Sequence, residues 1–458
     1  ESRGLGDVYK RQGKIHYITK TGQFKIGLLP KVYDMCIEMG IKPKVVDMRQ
    51  PLPKVSKVVT NIGKYKLRPE QEKAVKSVIN NRVGDTPFHI GVLDYTVNAG
   101  KTLIMSSLYL TYKKQLKTLL ITNDSDWLNQ AREEFKQYLP GEDITFVQGK
   151  VLNWSNFTIG MVQSISRNMR FYQKELSQID MVLVDEADQG GSKQYQNVIT
   201  RLFNTRIRIG LSGTIYMSKL AKDKVKNMNL ECFFGKVIAE FKLKDSIKKG
   251  YSTKTIVKMV PGKPWYGNWE SDCISYKEIY DDSITENNTA WTMAYNRLRW
   301  NINQGRYPAL VVCKHIAHCE NLYKFFKKKL GDAYNIAYVH VNTPSKLRQQ
   351  IMKDFREGKI DILVSTTIIA RGKNFPKLRY LLNAASMDSQ EKSIQFLGRL
   401  VRTDKSKKKV YLDDLHYPGP YLDRHGKHRK QYYQRQELKV ILLDKLWKKH
   451  PNHSLIKS

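Results

Sequence analysis

Acidic residues are scarce in this chain of 458 residues, because 43 Asp and Glu stand against 79 Lys and Arg. The formal net charge of +36 creates an electrostatic field that attracts polyanions. Nucleic acid is the partner that this composition favours, although a solubilising surface or attraction to anionic membranes also uses basic residues. Hydrophobic residues make up 41% and aromatic residues 10%, so the chain is predicted to be globular.

Long apolar runs are missing as well. A membrane-spanning helix needs roughly 20 apolar residues, whereas the longest candidates, such as Ile360–Ala370, contain polar residues. Residues 1–12 are charged, lack the apolar stretch of a secretion signal, and look extraneous to the rest of the chain. We therefore expect no membrane partner and a cytoplasmic location.

Cysteine occurs only five times, without the spacing of a disulfide framework, which suits a reducing compartment. Four zinc-type ligands, Cys313, His315, His318 and Cys319, fall within seven residues. However, they straddle the end of an apolar strand and the first turn of a helix, so their side chains should point in different directions. Ordinary packing or helix capping is the favoured interpretation.

Short apolar runs alternate with amphipathic helical patterns, which predicts parallel sheets covered on both faces. The predicted strands are Lys117–Thr122, Phe157–Met161, Met181–Val184, Arg206–Leu211, Ala309–Val312, Asp361–Ser365 and Arg379–Asn383. The predicted helices include Gln71–Asn80, Trp127–Tyr138, Leu322–Lys329 and Lys346–Arg356. Two such series predict two α/β lobes.

The predicted domains are an accessory unit over 1–60, a first lobe over 61–238, and a second lobe over 239–458 with a basic helical tail. The accessory unit is predicted to be α+β, because Lys31–Met39 has helical spacing and Lys44–Met48 alternates like a strand. Gly40 would end that helix.

A phosphate-binding loop is predicted at Thr96–Thr102, where Gly100, Lys101 and Thr102 supply backbone approach, a cation and a magnesium ligand. Tyr95 and Asn98 replace the glycines of the strict motif. Asparagine tolerates left-handed backbone geometry, so the loop is expected to form.

An acidic pair follows the apolar strand Met181–Val184. Asp185 would hold magnesium, and Glu186 would orient or deprotonate the attacking water. A surface acidic turn is the alternative for this segment taken alone, but ligands of open α/β sheets bind at the carboxyl ends of strands.

Two late arginines, Arg399 and Arg402, stand three residues apart on a predicted helix and hence on one face. Their guanidinium groups would stabilise charge that develops on the γ-phosphate of ATP. Contact with other phosphates or with the protein surface is the alternative.

In this order the motifs resemble those of the superfamily 2 helicases over about residues 64–447, and they look most like the phage UvsW-type DNA helicases and their bacterial relatives. Leu67–Gln71 resembles the adenine-sensing motif. Thr158–Ser164 resembles a strand-binding motif, and Leu211–Thr214 resembles the motif that couples hydrolysis to movement. Val364–Pro376 resembles motif V, with Asn374 where Asp is frequent. Gln395–Arg402 resembles motif VI.

The resemblance implies two tandem RecA-like lobes with ATP and Mg²⁺ in the cleft between them. The implied catalytic residues are Lys101, Asp185, Glu186, Gln395, Arg399 and Arg402, with Thr102 and Asp185 as magnesium ligands. The implied nucleotide contacts are Arg68, Gln71, Asn98, Ala99, Gly100, Lys101, Thr102, Gly372 and Asn374. The candidate nucleic-acid contacts are Gln163, Ser164, Arg167, Lys314 and Thr366.

The predicted function is therefore that of an ATP-dependent DNA helicase or translocase that unwinds or remodels DNA in recombination, repair or replication, in a host cytoplasm if phage-encoded. Single-stranded or branched DNA is the expected partner, and a monomer is the expected state. The Asp185–Asp188 spelling, Asp-Glu-Ala-Asp, also suggests an RNA helicase. That family's Phe-x-x-Pro-x-x-Ile-Gln context is absent, and its His-Arg in motif VI is Gln-Phe here. RNA helicase and duplex translocase subunit remain the alternatives.

Overall fold

The accessory region contains one helix and no paired strand among its described residues. The computed structural model describes residues 17–112, 115–215, 221–262, 275–370, 375–404 and 407–443. A 3₁₀ turn at Ile26–Leu28 leads into the helix Leu29–Glu38, and Gly40 follows with a φ of 78°. The strand predicted at Lys44–Met48 is wrong, because no neighbouring strand pairs with that segment. The carbonyl of Val45 instead accepts a hydrogen bond from the Thr86 hydroxyl.

Two short antiparallel hairpins flank the helix Pro69–Ile79. The first pairs β1 (Asn61–Ile62) with β2 (Tyr65–Lys66), and the second pairs β3 (Arg82–Val83) with β4 (Thr86–Pro87). The second hairpin is followed by the first long strand of the first large sheet.

The first large sheet has seven strands in the described residues, in the order β11-β5-β10-β9-β6-β8-β7. These are β5 (Ile90–Tyr95), β6 (Thr118–Thr122), β7 (Ile144–Val147), β8 (Phe157–Met161), β9 (Met181–Asp185), β10 (Ile207–Ser212) and β11 (Val237–Phe241). The strands from β5 to β7 in that order pair in parallel. Every residue of β5, β6, β9 and β10 is buried, because helices cover both faces.

The connecting segments of this part of the chain are helical. The helices are Lys101–Thr111, Ser125–Tyr138, Val162–Arg167, Gln173–Ser177, Lys193–Ile199 and Ala221–Phe234, with 3₁₀ turns at Met169–Phe171 and Ala187–Gln189. The apolar core joins β-strand residues such as Val92 and Ile121 to helix residues such as Val198 and Phe234.

The second large sheet also has seven strands in the described part of the chain, in the order β14-β15-β13-β16-β17-β12-β18, and all of its pairings are parallel. These are β12 (Lys254–Pro261), β13 (Ala309–Cys313), β14 (Ile336–Val339), β15 (Ile362–Thr366), β16 (Tyr380–Asn383), β17 (Lys409–His416) and β18 (Lys439–Leu442). Alternate residues of β13 enter different cores, with Leu310 on one face and Val311 on the other.

Helices also connect the strands of this sheet along the chain. They are Leu243–Lys248, Tyr276–Tyr280, Asn288–Ile302, Ile316–Leu330, Ser345–Glu357, Gln390–Leu400 and Leu422–Arg435, with a π-helical turn at Asp281–Thr285 and a 3₁₀ turn at Thr367–Ala370. The predicted helical tail is correct for Leu422–Arg435, but the chain then returns to the sheet as β18.

The chain divides into two compact units. The first comprises residues up to Asp94, Thr102–Asn123 and Glu134–Glu240, and the second comprises Tyr95–Lys101, Asp124–Glu133 and the chain from Phe241 onward. The predicted α/β class with two parallel sheets is confirmed. Each strand predicted from an apolar run exists, with ends displaced by at most one residue. The predicted domain boundaries stay predictions.

Candidate functional site

Three neighbouring strands of the first sheet bring the predicted nucleotide motifs to one edge. β10 lies between β5 and β9, with Ser212 in register with Asp94 and Leu211 in register with Asp185. The carboxyl ends of these parallel strands therefore lie at the same edge of the sheet. Adjacent strands are about 4.8 Å apart, so the segments that follow β5 and β9 begin about 10 Å from each other.

The phosphate loop has the backbone that its sequence predicts. β5 ends at Tyr95, and the next helix begins at Lys101. Asn98 has a φ of 63° and Gly100 a φ of 75°, so both adopt the left-handed conformation in which asparagine and glycine are favoured. The first backbone N–H groups of that helix have no intrahelical acceptor, which is the arrangement that binds phosphate.

The acidic pair lies where β9 ends. Asp185 is the last residue of the strand and is only 4% exposed, whereas Glu186 has a φ of 51°. A left-handed glutamate is a strained backbone conformation, and such strain is concentrated at functional sites. The turn directs the chain sharply into the 3₁₀ segment Ala187–Gln189.

A hydrogen-bond chain joins the acidic motif to the segment after β10. The Ser212 hydroxyl donates to Oδ1 of Asp188 over 2.9 Å, and it accepts a hydrogen bond from the backbone N–H of Thr214 over 3.1 Å. Asp188 is 5% exposed and Ser212 is fully buried. These hydrogen bonds join Asp188 to the segment Leu211–Thr214, and the coupling role that the sequence resemblance implies for this segment stays a prediction.

The adenine-sensing segment begins the helix Pro69–Ile79. Gln71 is fully buried, and its Oε1 accepts a hydrogen bond from the backbone N–H of Arg68 over 2.9 Å. Arg68 is the N-cap residue of this helix, and its Nε lies 3.5 Å from the Glu70 carboxylate. Because the hydrogen bond from Arg68 fixes the orientation of Gln71, the helix start presents an ordered amide. The role of Gln71 in reading adenine stays a prediction.

The predicted nucleic-acid contacts of the first unit lie on the short helix Val162–Arg167 after β8. Gln163 Nε2 donates to the carbonyl of Asn123 over 3.3 Å, and Ser164 Oγ accepts from the backbone N–H of Gly149 over 2.9 Å. Arg167 is exposed at the end of the helix. Gln163 and Ser164 therefore bind neighbouring loops at this edge, whereas Arg167 is exposed, and the role of all three in nucleic-acid binding stays a prediction.

The predicted contacts of the second unit lie beside each other at the carboxyl edge of its sheet. Thr366 ends β15 in register with Cys313, and Lys314 follows Cys313 directly. Lys314 Nζ lies 3.9 Å from the ring centroid of Tyr276. Burial lowers the pKa of Lys314, and the nearby Lys392 ammonium lowers it further.

Lys392 is a residue that the sequence reasoning missed. Its Nζ donates to the Thr367 hydroxyl over 3.3 Å, and its charge acts on Lys314. Two cations therefore lie near each other at this edge of the sheet. The only available signal was the position of Lys392 three residues before Gln395, at the start of the helix that carries motif VI.

The motif VI helix ends earlier than predicted. It spans Gln390–Leu400, so Gln395 and Arg399 are helical, whereas Arg402 lies beyond the C-cap residue Val401. The expectation that both arginines share one helical face is therefore wrong. The reason is a tertiary cap, because Thr253 donates its backbone N–H to the Val401 carbonyl over 2.7 Å and its hydroxyl to the Arg402 carbonyl over 3.2 Å.

The loop residues Tyr95–Lys101 belong to the second compact unit, as motif VI does, and the two segments are in contact. Gly398 faces Val97, and a Cβ placed on Gly398 would lie 2.7 Å from Val97 Cγ1. Any larger residue at 398 would therefore displace one of the two segments. Gly372 and Asn374, the other predicted nucleotide contacts of this unit, lie outside the described residues.

The Cys/His cluster is part of the packing rather than a metal centre. Cys313 and Cys319 are fully buried in the core, and His315 is the N-cap residue of the helix Ile316–Leu330. His318 Nδ1 lies 3.1 Å from the Tyr280 hydroxyl, and burial lowers the pKa of His318 to about 3. No group of three or more metal-type ligands occurs in the described ranges. Over the same residues, no helix is long and apolar enough to cross a membrane.

Family comparisons agree with the motifs. Residues 64–217 match the family of the type III restriction enzyme, res subunit, and residues 294–404 match the helicase conserved C-terminal domain. A phosphate loop, an acidic strand end and an arginine motif on two parallel sheets define a nucleotide-binding protein of the RecA-like class. With both matched domains in this order, the chain belongs to the superfamily 2 helicases.

Curated relatives cover most of the chain at low identity. A protein of Sulfolobus islandicus filamentous virus, assigned as helicase 22, is 23% identical over 385 residues, which are 77% of this chain and 64% of the relative. A Saccharomyces cerevisiae protein, assigned as the ATP-dependent helicase IRC3, is 22% identical over 378 residues, 76% of this chain and 51% of the relative. The chain thus spans between half and two thirds of the length of these relatives.

Solved structures share the fold. The type ISP restriction-modification enzyme LlaBIII bound to DNA has a TM-score of 0.63 at 14% identity and covers 85% of this chain and 33% of its own. Mss116p bound to single-stranded RNA and AMP-PNP has a TM-score of 0.57 at 14% identity, over 86% of this chain and 81% of its own. T4 UvsW aligns over 96% of this chain and 91% of its own, at 18% identity and a TM-score of 0.41. The similarities to LlaBIII and Mss116p describe the fold and do not choose between DNA and RNA.

Proposed function

We propose that this chain is an ATP-hydrolysing motor that moves along DNA and unwinds or remodels it. The observation that carries the proposal is the shared edge of β5, β10 and β9, where the phosphate loop and the pair Asp185–Glu186 follow neighbouring strands. Phosphoryl transfer depends on positioning and on charge stabilisation, and this edge supplies both kinds of group.

Magnesium fits the donor set of this edge. Thr102 offers a hydroxyl in the first turn of the helix Lys101–Thr111, and Asp185 offers a nearly buried carboxylate. Mg²⁺ prefers hard oxygen ligands of these types, and when bound it neutralises charge on the phosphate oxygens. We assign the metal to Thr102 and Asp185, and the β- and γ-phosphates to Lys101 and the loop amides.

The remaining site residues act on the attacking water and on the developing charge. Glu186 orients the water and accepts its proton as the bond between the γ-phosphorus and the bridging oxygen breaks, which yields ADP and phosphate. Arg399 and Arg402 stabilise charge on the transferred group, and Gln395 lies one helical turn before Arg399 to contact the same region. Gly372 and Asn374 complete the assigned nucleotide contacts, with Arg68 and Gln71 on the adenine side.

DNA is the proposed track, in single-stranded or branched form. The assigned contacts are Gln163, Ser164 and Arg167 from one unit and Lys314 and Thr366 from the other. Contacts of this kind grip phosphates, so binding is expected to be insensitive to sequence and sensitive to salt. Support for DNA over RNA comes from the departures from the DEAD-box pattern, since motif VI begins Gln395-Phe396 instead of His-Arg.

A second candidate function is a duplex translocase within a larger assembly. It draws support from the first family match, which is to a restriction enzyme subunit. RNA unwinding is the other alternative, because RNA-bound relatives share the fold. The proposed monomeric state and a role in phage recombination, repair or replication rest on the sequence resemblance.

Steady-state ATPase measured without nucleic acid and with single-stranded DNA, duplex, forked DNA or RNA tests the proposal. Strong stimulation by single-stranded or forked DNA, with RNA inert, is the expected result. Stimulation by RNA alone would replace the DNA assignment, stimulation by plain duplex alone would favour the translocase, and no ATPase activity would refute the motor.

Lys101→Ala connects that activity to the phosphate loop. Removal of the ammonium that meets the phosphates should abolish nucleotide binding or turnover. Lys174→Ala, which removes an exposed lysine in the helix Gln173–Ser177, is the matched control and should leave the ATPase unchanged. Near-normal ATPase in Lys101→Ala would overturn the assignment of the loop.

A further inference from the structure

One side of the second sheet presents lysines along a strand face. β12 lies between β17 and β18, and its buried residues Thr255, Val257 and Met259 alternate with less buried ones. Lys254 and Lys258 lie on the less buried side, because successive side chains of a strand point to opposite faces.

The neighbouring strands add lysines to the same side. Lys409 is in register with Lys254, and Lys439 is in register with Ile256, whose side chain shares the face of Lys254. Lys254, Lys409 and Lys439 are exposed, and Lys258 is partly exposed. We call these four lysines the cationic strand face.

A cluster around Trp300 extends this face. Three cations approach the indole ring: Lys258 Nζ at 4.5 Å, Arg306 Cζ at 4.7 Å and Arg297 Cζ at 5.1 Å from its centroid. Arg306 also stacks on Tyr411, with its Cζ 3.6 Å from that ring centroid. The rings hold the cations close together at the surface of β12 and β17.

Positive charge exceeds negative charge here. Asp413, which is fully buried, accepts hydrogen bonds from Arg297 Nε and Nη2 over 2.9 and 2.7 Å. Within the described ranges, no carboxylate forms an ion pair with any of the four lysines of the face. Burial lowers the pKa of Lys258, Asp413 opposes that effect, and Arg297 and Arg306 add to it. The uncompensated charge favours an anionic ligand.

This face lies away from the helicase motifs of the same unit. Lys254 and Lys409 are the first residues of β12 and β17, whereas Thr366 ends β15 and Lys314 follows the end of β13. Because all strands of the sheet are parallel, the beginnings of β12 and β17 lie at the edge opposite to the motif residues. The cationic strand face is therefore separate from the proposed track of the motor.

We propose that the cationic strand face is a second nucleic-acid contact, which binds the phosphate backbone without reading its sequence. The ligand class rests on the proposed function. Lys254 and Lys258 are four residues apart on one strand, so the face is about 13 Å long, which matches about four nucleotides at 3.4 Å each. Flexible lysine side chains contact phosphates as point charges, and they carry no base specificity.

A charge-matched pair of variants of the full chain tests the proposal. The face variant combines Lys254→Gln, Lys409→Gln and Lys439→Gln. The control combines Lys324→Gln, Lys328→Gln and Lys346→Gln, which remove the same charge from exposed positions on two helices of the same unit. Dissociation constants for single-stranded and duplex DNA are measured without nucleotide over a series of salt concentrations.

The face variant should bind at least about tenfold more weakly at 0.1 M salt, while the control stays within about twofold. For the face variant, the slope of log affinity against log salt concentration should become less steep by about two to three. Each lost phosphate contact reduces the magnitude of that slope by ~0.7 to ~0.9. Equal losses in both variants, or no loss in the face variant, overturn the proposal. A selective loss of binding to phosphatidylserine vesicles, with DNA affinity unchanged, overturns it too and identifies a lipid surface.

The outcomes also separate this inference from the proposed function. ATPase without nucleic acid should be equal in the wild type and both variants, because none of these lysines belongs to the nucleotide site. If the wild type binds DNA and its ATPase is stimulated but the face variant behaves like the control, only the second contact fails. If the wild type binds no nucleic acid at all, the proposed function fails as well.

Discussion

Lys407 donates a hydrogen bond of 3.1 Å from Nζ to the carbonyl of Leu400, the last residue of the helix Gln390–Leu400. The same Nζ donates to the carbonyl of Leu378 over 3.1 Å. Lys407 is only 7% exposed, so its ammonium replaces water as the donor at this helix end. Thr253 donates hydrogen bonds to the carbonyls of the next two residues, Val401 and Arg402. Lys407 and Thr253 together fix the segment that contains Arg402.

Lys407 should make the stability of the protein depend on alkaline pH. Burial lowers its pKa from 10.5 to about 8, with Arg379 and Arg402 acting in the same direction and Asp404 opposing them. Between pH 8 and 10.5 the unfolded chain therefore binds more protons at this residue, and the free energy of unfolding rises with pH. The neutral amine keeps two N–H donors, so both hydrogen bonds survive.

Urea denaturation of the wild type and of Lys407→Met at pH 7 and pH 10 measures this effect. The free energy of unfolding of the wild type minus that of Lys407→Met should increase as pH rises. Lys408→Met, at the exposed neighbouring position, serves as control and should show a constant difference. A constant difference for Lys407→Met would contradict the prediction.

Glu186→Gln should bind ATP normally and hydrolyse it slowly. The amide keeps the size of the side chain and its backbone position, but it cannot accept the proton of the attacking water. Loss of one such group commonly costs ~10²-fold or more in turnover. ATP affinity and single-turnover hydrolysis are measured together, with Glu286→Gln at an exposed position as control. Hydrolysis at the wild-type rate would exclude Glu186 as the base.

Arg402→Ala should spare ATP binding and abolish turnover stimulated by nucleic acid. Arginines that stabilise the transferred phosphoryl group contribute ~10³-fold or more to turnover. Arg399→Ala should have a similar effect, and the double variant should lose less than the product of the two, because both arginines act on one charge. Arg356→Ala, exposed on the helix Ser345–Glu357, is the control. Intact stimulation in Arg402→Ala would show that another residue performs this role.

Asp414→Leu should destabilise the second unit strongly. Asp414 and Arg429 are both fully buried and lie 2.8 Å apart, and Asp414 also accepts hydrogen bonds from Asn383 and Tyr433. An unpaired buried guanidinium costs about 3–5 kcal/mol. Urea denaturation should show that loss, and the double variant Asp414→Leu/Arg429→Met should recover part of it. Equal stability of the single and double variants would argue against the charge as the cause.

The sequence predicted those parts of the fold that depend on local pattern. The strand at Met181–Val184 was recognisable because a strand buried on both faces is apolar at every position. The left-handed loop at Asn98 followed from residue type. The strand predicted at Lys44–Met48 had a suitable alternation, but alternation cannot supply the neighbour that a strand needs for pairing.

The parts that escaped prediction depend on contacts between distant segments. Arg402 leaves the helix because Thr253, about 150 residues earlier in the chain, takes up the terminal carbonyls. Lys392 lies near Lys314 because β16, which precedes the helix of Lys392, pairs with β13, which precedes Lys314. β18 was missed because the surrounding sequence is charged and its apolar residues Val440, Ile441 and Leu442 are few.

The position of β12 between β17 and β18 has a consequence for synthesis of the protein. β12 emerges from the ribosome about 150 residues before β17 and about 180 residues before β18. Its backbone donors and acceptors therefore lack both partner strands until those segments are synthesised. An unpaired edge exposed for that time invites association with other chains. Lys254 and Lys258 place positive charge on β12, and charge of this kind disfavours such association while a strand is unpaired.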